Sequence, residues 1–275
     1  MAFLQSISPI NKVFQTNGSN PVKVLCEDLN EYVCKYSRGN PASGLFNEYL
    51  AASFLRVWNL SVPEFRVITI QAKHITPEYQ STTVQPRFFQ SPCFGSKHYE
   101  YGKEIDPSIG VIDTKIVKQI RNKGDLLAIA LFDLWMANED RNHNNYNLLL
   151  DSREDGYAFM PIDHEKCFNT NSLTSQRGLV ILTEDETLVN TELSKLVFRN
   201  FKELEALIDQ IANDYYLWVA ECQNGLENVI NAMPDQWGIA KADKIAQLNA
   251  ALFQNAWIDN CCETFKEYSS TFLLS

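Results

Sequence analysis

Hydrophobic and polar positions follow a strand-like pattern in the first hundred residues of the chain. KVLCED and EYVCKY are short runs with β-branched and aromatic residues, and the residues between them predict a turn, so together they predict a β-hairpin. PEFRVITIQAKHI predicts a further strand. The stretch 75–110 is rich in Pro, Gly, Ser and Gln and predicts a loop with a short strand near PCFGSKHYE.

The helical period of 3.6 residues occurs once in this N-terminal part and dominates the C-terminal part. LFNEYLAASFLRVWNL repeats apolar residues at helical spacing, and we expect Ser43 to cap its start. DLLAIALFDLWMAN predicts an apolar helix capped by Asp125. The chain therefore predicts an α+β fold with a β-rich N-terminal part and a mainly helical C-terminal part. Two long segments carry the helical pattern beyond residue 190: TELSKLVFRNFKELEALIDQIANDYYLWVAECQ and KADKIAQLNAALFQNAWIDNCCETFKEY.

Composition narrows the class of protein. The 275 residues suffice for one large domain or two lobes with a sizeable core, and 45% hydrophobic with 21% charged residues is typical of a globular protein. No apolar stretch reaches the roughly 18 to 20 residues that cross a bilayer. MAFLQSISPINKVFQ lacks the features of a signal peptide, so we expect a cytoplasmic location with no membrane span. The net charge of -10 argues against a broad nucleic-acid surface, although a local basic pocket for a small phosphorylated ligand stays open.

The cysteine pattern predicts reduced, structural thiols. Seven cysteines are present, the number is odd, and no CxxC spacing occurs, so neither a disulfide framework nor a zinc knuckle is indicated. The five tryptophans, among them Trp58, Trp135 and Trp237, are expected in the core. The cysteines are Cys26, Cys34, Cys93, Cys167, Cys222, Cys261 and Cys262.

A polar segment, NEDRNHNNYN at residues 138–147, lies between the apolar helix and an apolar leucine triplet. Within it, Asp140 and Asn145 are five residues apart, and Asp163 follows the apolar run FMPI. Protein kinases place a catalytic-loop Asp and Asn at this interval and a metal-binding Asp at a later strand end. In phosphoryl transfer, the first carboxylate orients the hydroxyl and accepts its proton, while the amide and the second carboxylate hold magnesium on the nucleotide phosphates.

A structural turn and a hydrolase centre compete with the kinase interpretation. A helix end and turn would account for Asp140 and Asn145, but not for Asp163, because a carboxylate after an apolar strand is costly without a cation or donor. A hydrolase metal centre built on His143 and His164 with the two aspartates lacks the usual HExxH or HxH spacing. The three positions together favour a kinase.

The N-terminal part offers the remaining groups that nucleotide binding needs. Lys35 ends the second strand of the predicted hairpin, where it would project towards phosphates, and Glu48 lies in the following helix, where it could pair with Lys35. TNGSN, residues 16–20, precedes the hairpin, and the backbone N–H groups of such a flexible turn can approach phosphate oxygens. A solvated edge-strand lysine and a solvated helix face are the alternatives for Lys35 and Glu48.

Several of these runs resemble the HipA-like kinases, bacterial relatives of the HipA serine/threonine kinases that are distantly similar to phosphatidylinositol 4-kinases. The resemblance covers roughly residues 13–170, and MPDQWGI is similar to a later family segment. The runs that carry it are TNGSNPVKVLCEDLNEYVCKY, NEYLAASFLRVWNLSVPEF, LFDLWMANEDRNHNNYNLLL and PIDHEKCF.

The resemblance implies roles for individual residues. Asp140 would be the catalytic base, and Asn145 and Asp163 would hold magnesium. Lys35 would bind the α- or β-phosphate with Glu48 as its partner. The phosphate loop would include Gly18 and Ser19. The sequence departs from the family pattern at Asn142, where the family usually has His, and at Glu165, where it often has Gly.

The sequence thus predicts a single two-lobed kinase-like domain, with residues 1–98 as the N-terminal lobe and residues 99–275 as the C-terminal lobe. The predicted reaction is transfer of the γ-phosphoryl group of ATP, with Mg²⁺, to a Ser or Thr hydroxyl of a protein substrate. A kinase for a small molecule or lipid head group, and a nucleotide-binding pseudokinase that acts as an interaction module, are the alternatives. Neither the substrate nor the oligomeric state follows from the sequence.

Overall fold

The computed structural model describes residues 3–16, 20–100, 102–105, 114–153, 156–171, 173 and 178–274. Its N-terminal part is built on a six-stranded sheet with the strand order β1-β5-β6-β4-β3-β2. All neighbouring strands are antiparallel except β1 and β5. The strands are β1 (Phe3–Gln5), β2 (Lys12–Val13), β3 (Val22–Leu25), β4 (Glu31–Lys35), β5 (Phe65–Thr69) and β6 (Cys93–Lys97). The predicted hairpin is therefore present as β3 and β4, and the two further predicted strands are β5 and β6.

A three-stranded sheet follows, and it carries the polar segment on one end. β8 (Leu148–Arg153) and β9 (Gly156–Pro161) form an antiparallel hairpin in which Leu148 faces Pro161, and β7 (Lys103–Glu104) pairs with β8. This register brings residue 147, just before β8, next to residue 162, just after β9. The N–H of Ile162 donates to the carbonyl oxygen of Asn147 at 2.9 Å.

Helices account for most of the C-terminal part, as predicted. α3 is buried along almost its whole length, because nearly all of its side chains are apolar, and it packs against α6, α8 and β9. In α4, Phe168, Asn169 and Thr170 have left-handed dihedral angles, so this element is one left-handed turn. The helices are α1 (Ser43–Val57), α2 (Thr114–Lys118), α3 (Gly124–Met136), α4 (Cys167–Asn171), α5 (Glu192–Phe198), α6 (Leu204–Asn231), α7 (Lys241–Ala251) and α8 (Asn255–Leu273).

Two predicted helix caps are wrong. Ser43 is the first residue of α1, and the N-cap position belongs to Ala42, which makes no side-chain cap hydrogen bond. Asp125 lies in the first turn of α3 and not at its N-cap. The side-chain oxygen of Asn122 instead accepts from the N–H of Gly124 at 3.1 Å, and its amide donates to Asp125 at 2.7 Å.

The apolar side chains form two clusters. The smaller cluster covers one face of the six-stranded sheet and includes Tyr32 and Cys34. The larger cluster joins the other face of that sheet, α1 and the C-terminal helices, and Trp58, Trp135 and Trp237 are buried in it as predicted. All seven cysteines are free and buried. Among the described residues, no helix is long and apolar enough to span a membrane.

Candidate active site

Lys35 is positioned by the alternation of side chains along β4. Tyr32 and Cys34 point into the smaller apolar cluster, so Val33 and Lys35 point to the opposite face and border a cavity. The Nζ of Lys35 contacts the Oε1 of Glu48 and donates to the Oδ1 of Asp163 at 2.7 Å. The predicted pairing of Lys35 with Glu48 is therefore present, and the same ammonium group also binds the predicted metal-site carboxylate.

Glu48 connects α1 to the segment that follows β9. Its side chain is only 4% exposed, and its Oε1 accepts from the backbone N–H of His164 at 3.0 Å. The neighbouring Asn47 donates from Nδ2 to the carbonyl oxygen of Glu165 at 2.8 Å. Two adjacent residues of α1 thus hold the backbone next to Asp163 in place, which fixes where the Asp163 carboxylate lies relative to Lys35.

The pKa values of these groups reflect burial and their opposite charges. Burial by itself lowers the pKa of Lys35, but the carboxylates of Asp163 and Glu48 outweigh that effect and hold the pKa above its ordinary value. Burial favours a higher pKa for Asp163, yet the Lys35 charge lowers it to about 2. Burial raises the pKa of Glu48 to about 7, although Lys35 acts against the increase. Lys35 and Asp163 are therefore both charged at neutral pH.

Asp140 and Asn145 lie in the turn that follows α3. α3 ends because Ala137 adopts a left-handed conformation with a φ of 46°, and this turns the chain into the polar segment. Asn142 and Asn145 exchange two backbone hydrogen bonds of 3.0 and 3.1 Å, which closes the loop between them. The Nδ2 of Asn145 donates to the Oδ2 of Asp140 at 3.3 Å.

The Asp140 carboxylate lies in the same electrostatic environment as Asp163. Burial raises the pKa of Asp140, and the negative charge of Asp163 raises it further. A raised pKa makes a carboxylate a better proton acceptor than an exposed Asp. The structure therefore brings Lys35, Glu48, Asp140, Asn145 and Asp163 into one region, with Lys35 and Asp163 in direct contact.

The sequence interpretation gave no role to Arg141, which is fully buried beside Asp140. Its Nε donates to the Oδ2 of Asp133 at 2.8 Å, and its Nη1 donates to the carbonyl oxygens of Tyr146, at 3.2 Å, and of Asn147. Its Nη2 is 2.9 Å from the Nε2 of His164. Burial and the charge of Arg141 lower the pKa of His164, so the neutral ring accepts this hydrogen bond. Arg141 thus ties both ends of the polar segment to α3 and to the residue after Asp163.

Asn147 was also missed, although it borders the cavity. Its side-chain Nδ2 lies 3.3 Å from both the backbone oxygen and the Oδ2 of Asp140, and the residue is only 6% exposed. The sequence signal was a polar residue directly before the apolar triplet that forms the start of β8. That signal is weak, because a turn residue at the start of a hairpin is common.

The cavity between the two parts of the chain has a volume of about 300 Å³. Apolar residues from both parts form its walls, among them Val33, Ala52, Phe94 and Leu149, and the contacting pair Lys35 and Asp163 also lines it. A mainly apolar cleft with a few convergent charged groups is typical of a site for a small ligand.

The predicted phosphate-loop residues Gly18 and Ser19 lie outside the described residues, so their roles stay predictions. The residues on either side of them are described. The N–H of Thr16 donates to the Oδ1 of Asn20 at 3.1 Å, and the N–H of Asn20 donates to the Oγ1 of Thr16 at 3.3 Å. Thr16 and Pro21 border the cavity. The described ends of this turn are therefore held close together beside the apolar walls.

The alternative hydrolase centre is not assembled. His143 is exposed and lies 3.2 Å from the carbonyl oxygen of Asp185, whereas His164 is buried against Arg141. Within the described ranges, no group of three or more His, Cys, Asp or Glu residues is arranged to hold a metal ion.

Comparisons with known proteins identify the family of the chain and a similar fold. The sequence model of the family described as HipA-like kinase matches residues 7–267. The Helicobacter pylori proinflammatory kinase CtkA has a similar structure, with a TM-score of 0.53 and 13% identity over 99% of this chain and 98% of that chain. HipA of Shewanella oneidensis MR-1, solved with HipB and operator DNA, gives a TM-score of 0.45 and 11% identity over 93% of this chain and 67% of that chain. No curated protein matches the chain significantly.

Proposed function

The chain belongs to the HipA-like kinase family, and we propose that it transfers the γ-phosphoryl group of ATP, in the presence of magnesium, to a Ser or Thr hydroxyl of a protein. The observation that carries this proposal is the double contact of Lys35 with Glu48 and Asp163 in the lining of the cavity. The contact puts one cation and one ionised carboxylate side by side in the lining of the cavity, and the charge of Asp163 also acts on Asp140. These charges support a site for the phosphates of a nucleotide.

Each residue has a chemical task in this reaction. The apolar walls hold the adenine base, and Lys35 binds the α- or β-phosphate. Asp163 and Asn145 carry the hard oxygen ligands that magnesium prefers, and the ion would neutralise charge on the phosphates. Asp140 accepts the proton of the attacking hydroxyl. The hydroxyl oxygen bonds to the γ-phosphorus, the bond from that phosphorus to the bridging oxygen breaks, and ADP leaves.

The two departures from the family pattern replace none of these groups. Asn142 contributes backbone hydrogen bonds to Asn145, and its side-chain Oδ1 accepts from the N–H of Asn144 at 2.9 Å. Glu165 lies against Gly44 of α1, and its backbone oxygen accepts from Asn47. Because Lys35, Asp140, Asn145 and Asp163 are all present, an enzyme is favoured over a binding module. A kinase for a small molecule or lipid head group would use the same residues.

Magnesium-dependent nucleotide binding and phosphate transfer test the proposal. At an ATP concentration about 100 times its dissociation constant, binding should stabilise the protein by roughly 2.7 kcal/mol in the presence of magnesium, measured by thermal unfolding. With EDTA in place of magnesium the stabilisation should be much smaller. Phosphate transfer to the protein itself and to generic protein substrates would be followed by mass spectrometry. Equal stabilisation with and without magnesium, and no transfer, would contradict a kinase function.

A further inference from the structure

Asn147 lines the cavity together with Lys35 and Asp163, and it has no role in the reaction described above. It lies two positions after Asn145, and unlike Asn145 it borders the cavity. Its carbonyl oxygen accepts from the N–H of Ile162, so its backbone is fixed directly beside the residue that precedes Asp163. Among the asparagines of the polar segment, Asn147 is the one whose position is tied to the Asp163 side of the site.

The orientation of the Asn147 amide follows from its partners. The backbone oxygen of Asp140 can only accept a hydrogen bond, and the Asp140 carboxylate is an acceptor when ionised, so the Nδ2 of Asn147 must face both. The Oδ1 then points away from Asp140. No donor among the described residues forms a hydrogen bond with this Oδ1. The atom is also not fully buried, because it is absent from the set of fully buried polar atoms that lack a partner. An amide oxygen is therefore left accessible at the wall of the cavity.

The backbone of Asn147 is also unusual. Its φ is 46°, in the left-handed region that Asn and Gly tolerate best. Asp163, the residue after the one that lies opposite Asn147 at the open end of the β8–β9 hairpin, has a φ of 59°, so it also adopts a left-handed conformation. Strained conformations of this kind persist where the surrounding structure determines them, and they are common at functional sites.

We propose that Asn147 is a ligand of the catalytic divalent metal ion, and that its amide oxygen acts together with Asp163 and Asn145. The inference rests on the proposed function, because it needs a metal–nucleotide complex beside Asp163. In this arrangement one side chain does two things. Its amide nitrogen holds the catalytic Asp140, and its amide oxygen meets the ion, which fixes the distance between the base and the metal.

Two substitutions at this position separate a metal ligand from a residue that only positions Asp140. Asn147→Gly keeps the left-handed backbone and removes both halves of the amide. Asn147→Asp keeps the size and the left-handed tolerance, removes the donor to Asp140, and offers a stronger metal ligand. Asn144→Ala is the matched control, because Asn144 is exposed in the same loop and no described partner contacts its side chain.

The measurement is the affinity for Mn²⁺ in the presence of a non-hydrolysable ATP analogue, read by electron paramagnetic resonance. We expect Asn147→Gly to weaken Mn²⁺ binding by at least about tenfold. Substitution of a residue that only supports a metal ligand already lowers metal affinity by about that factor. Asn147→Asp should bind Mn²⁺ at least as tightly as the parent, while its phosphate transfer is reduced. Asn144→Ala should match the parent in both respects.

Other results identify which idea fails. If Asn147→Gly and Asn147→Asp both bind Mn²⁺ as the parent does, Asn147 only positions Asp140 and the inference is wrong, whereas the proposed function stands. The same holds if the Asp variant loses as much affinity as the Gly variant. If the parent itself binds no Mn²⁺ with the nucleotide analogue, the proposed function fails, and the metal-ligand role fails with it.

Discussion

Two groups of charged side chains lie on either side of the Asp163–His164 peptide, and they differ in how much solvent reaches them. The front cluster consists of Lys35, Glu48 and Asp163 and borders the cavity, with 38% of the Asp163 side chain exposed. The rear cluster consists of Asp133, Asn138, Arg141 and His164 and is fully enclosed, with Arg141 0% and Asp133 1% exposed.

The difference in exposure indicates that the front cluster can bind a ligand and that the rear cluster supports the structure. A phosphate or a metal ion can compete for the exposed carboxylate oxygen and the ammonium group of the front cluster, so its ion pairs can be exchanged for ligand contacts. Arg141 and Asp133 of the rear cluster are buried away from the cavity, and the hydrogen bonds of this cluster join α3, the polar segment and the residue after Asp163. The same types of side chain thus serve as a binding site on one side and as a structural clamp on the other.

The largest expected effect comes from breaking the rear cluster. Arg141→Met would leave the buried carboxylate of Asp133 without its cation, and the loss of one partner of a buried ion pair costs about 3–5 kcal/mol. The double variant Arg141→Met/Asp133→Leu removes both charges and should recover much of that loss. Urea unfolding of the parent, the single and the double variant measures this. A loss below about 1 kcal/mol in the single variant would show that the pair is not a clamp.

Breaking the front cluster should affect binding more than stability. Lys35→Met leaves the buried Glu48 without its cation, and we expect a loss of stability of about 1–3 kcal/mol. Glu48→Gln added to Lys35→Met should restore part of the stability, because both charges are then gone. Nucleotide binding should be lost in the single and the double variant alike, as judged by thermal shift with ATP and magnesium. Retained binding in either variant would mean that Lys35 does not bind the phosphates.

The pH dependence of stability also distinguishes the front cluster from the rear cluster, and we expect its effect to be smaller than those of the substitutions above. The pKa of Asp163 is lowered to about 2, so its contribution to stability is present above its unfolded value near 3.8 and is lost as the pH falls from about 4 towards 2. Burial raises the pKa of Asp133 to about 6, although Arg141 opposes the increase, so its contribution is present below about 3.8 and is lost as the pH rises towards 6.

Urea unfolding between pH 2 and pH 7 measures the contribution of Asp163 at the acid end of this range. Asp163→Asn should reduce the loss of stability between pH 4 and pH 2, whereas the raised pKa values of Asp133 and Glu48 govern the change at higher pH. If the free energy of unfolding falls equally below pH 4 in the parent and in Asp163→Asn, the pairing of Asp163 with Lys35 is contradicted.

The sequence predicted the front cluster better than the rear one, for a physical reason. Lys35 and Glu48 could be placed because the period of a strand and of a helix assigns a face to each residue. Asp163 was predicted because an ionised group after an apolar strand needs a partner. Arg141 and Asp133 gave no such signal, since their pairing depends on how α3 packs, and packing is a tertiary property.

Local capping preferences failed for a related reason. Ser43 and Asp125 are good capping residues, but tertiary contacts decide where each helix begins. Gly44 lies against Glu165, which is distant in sequence, and Asn122 already caps the first turn of α3. The contact of Asn47 with Glu165 spans 118 positions, and no local pattern predicts it. The lobe boundary at residues 98 and 99 stays a prediction.

The most direct test of the kinase assignment compares phosphate transfer and ATP binding in the parent, Asp140→Asn and Asp163→Asn, with Asn144→Ala as the control. Asp140→Asn keeps the size of the side chain and removes the base, so transfer should fall by about two to four orders of magnitude while ATP binding with magnesium is nearly unchanged. Asp163→Asn should lose both transfer and the magnesium dependence of binding. If the parent and Asp140→Asn transfer phosphate equally fast, Asp140 is only a turn residue and the proposed mechanism is wrong.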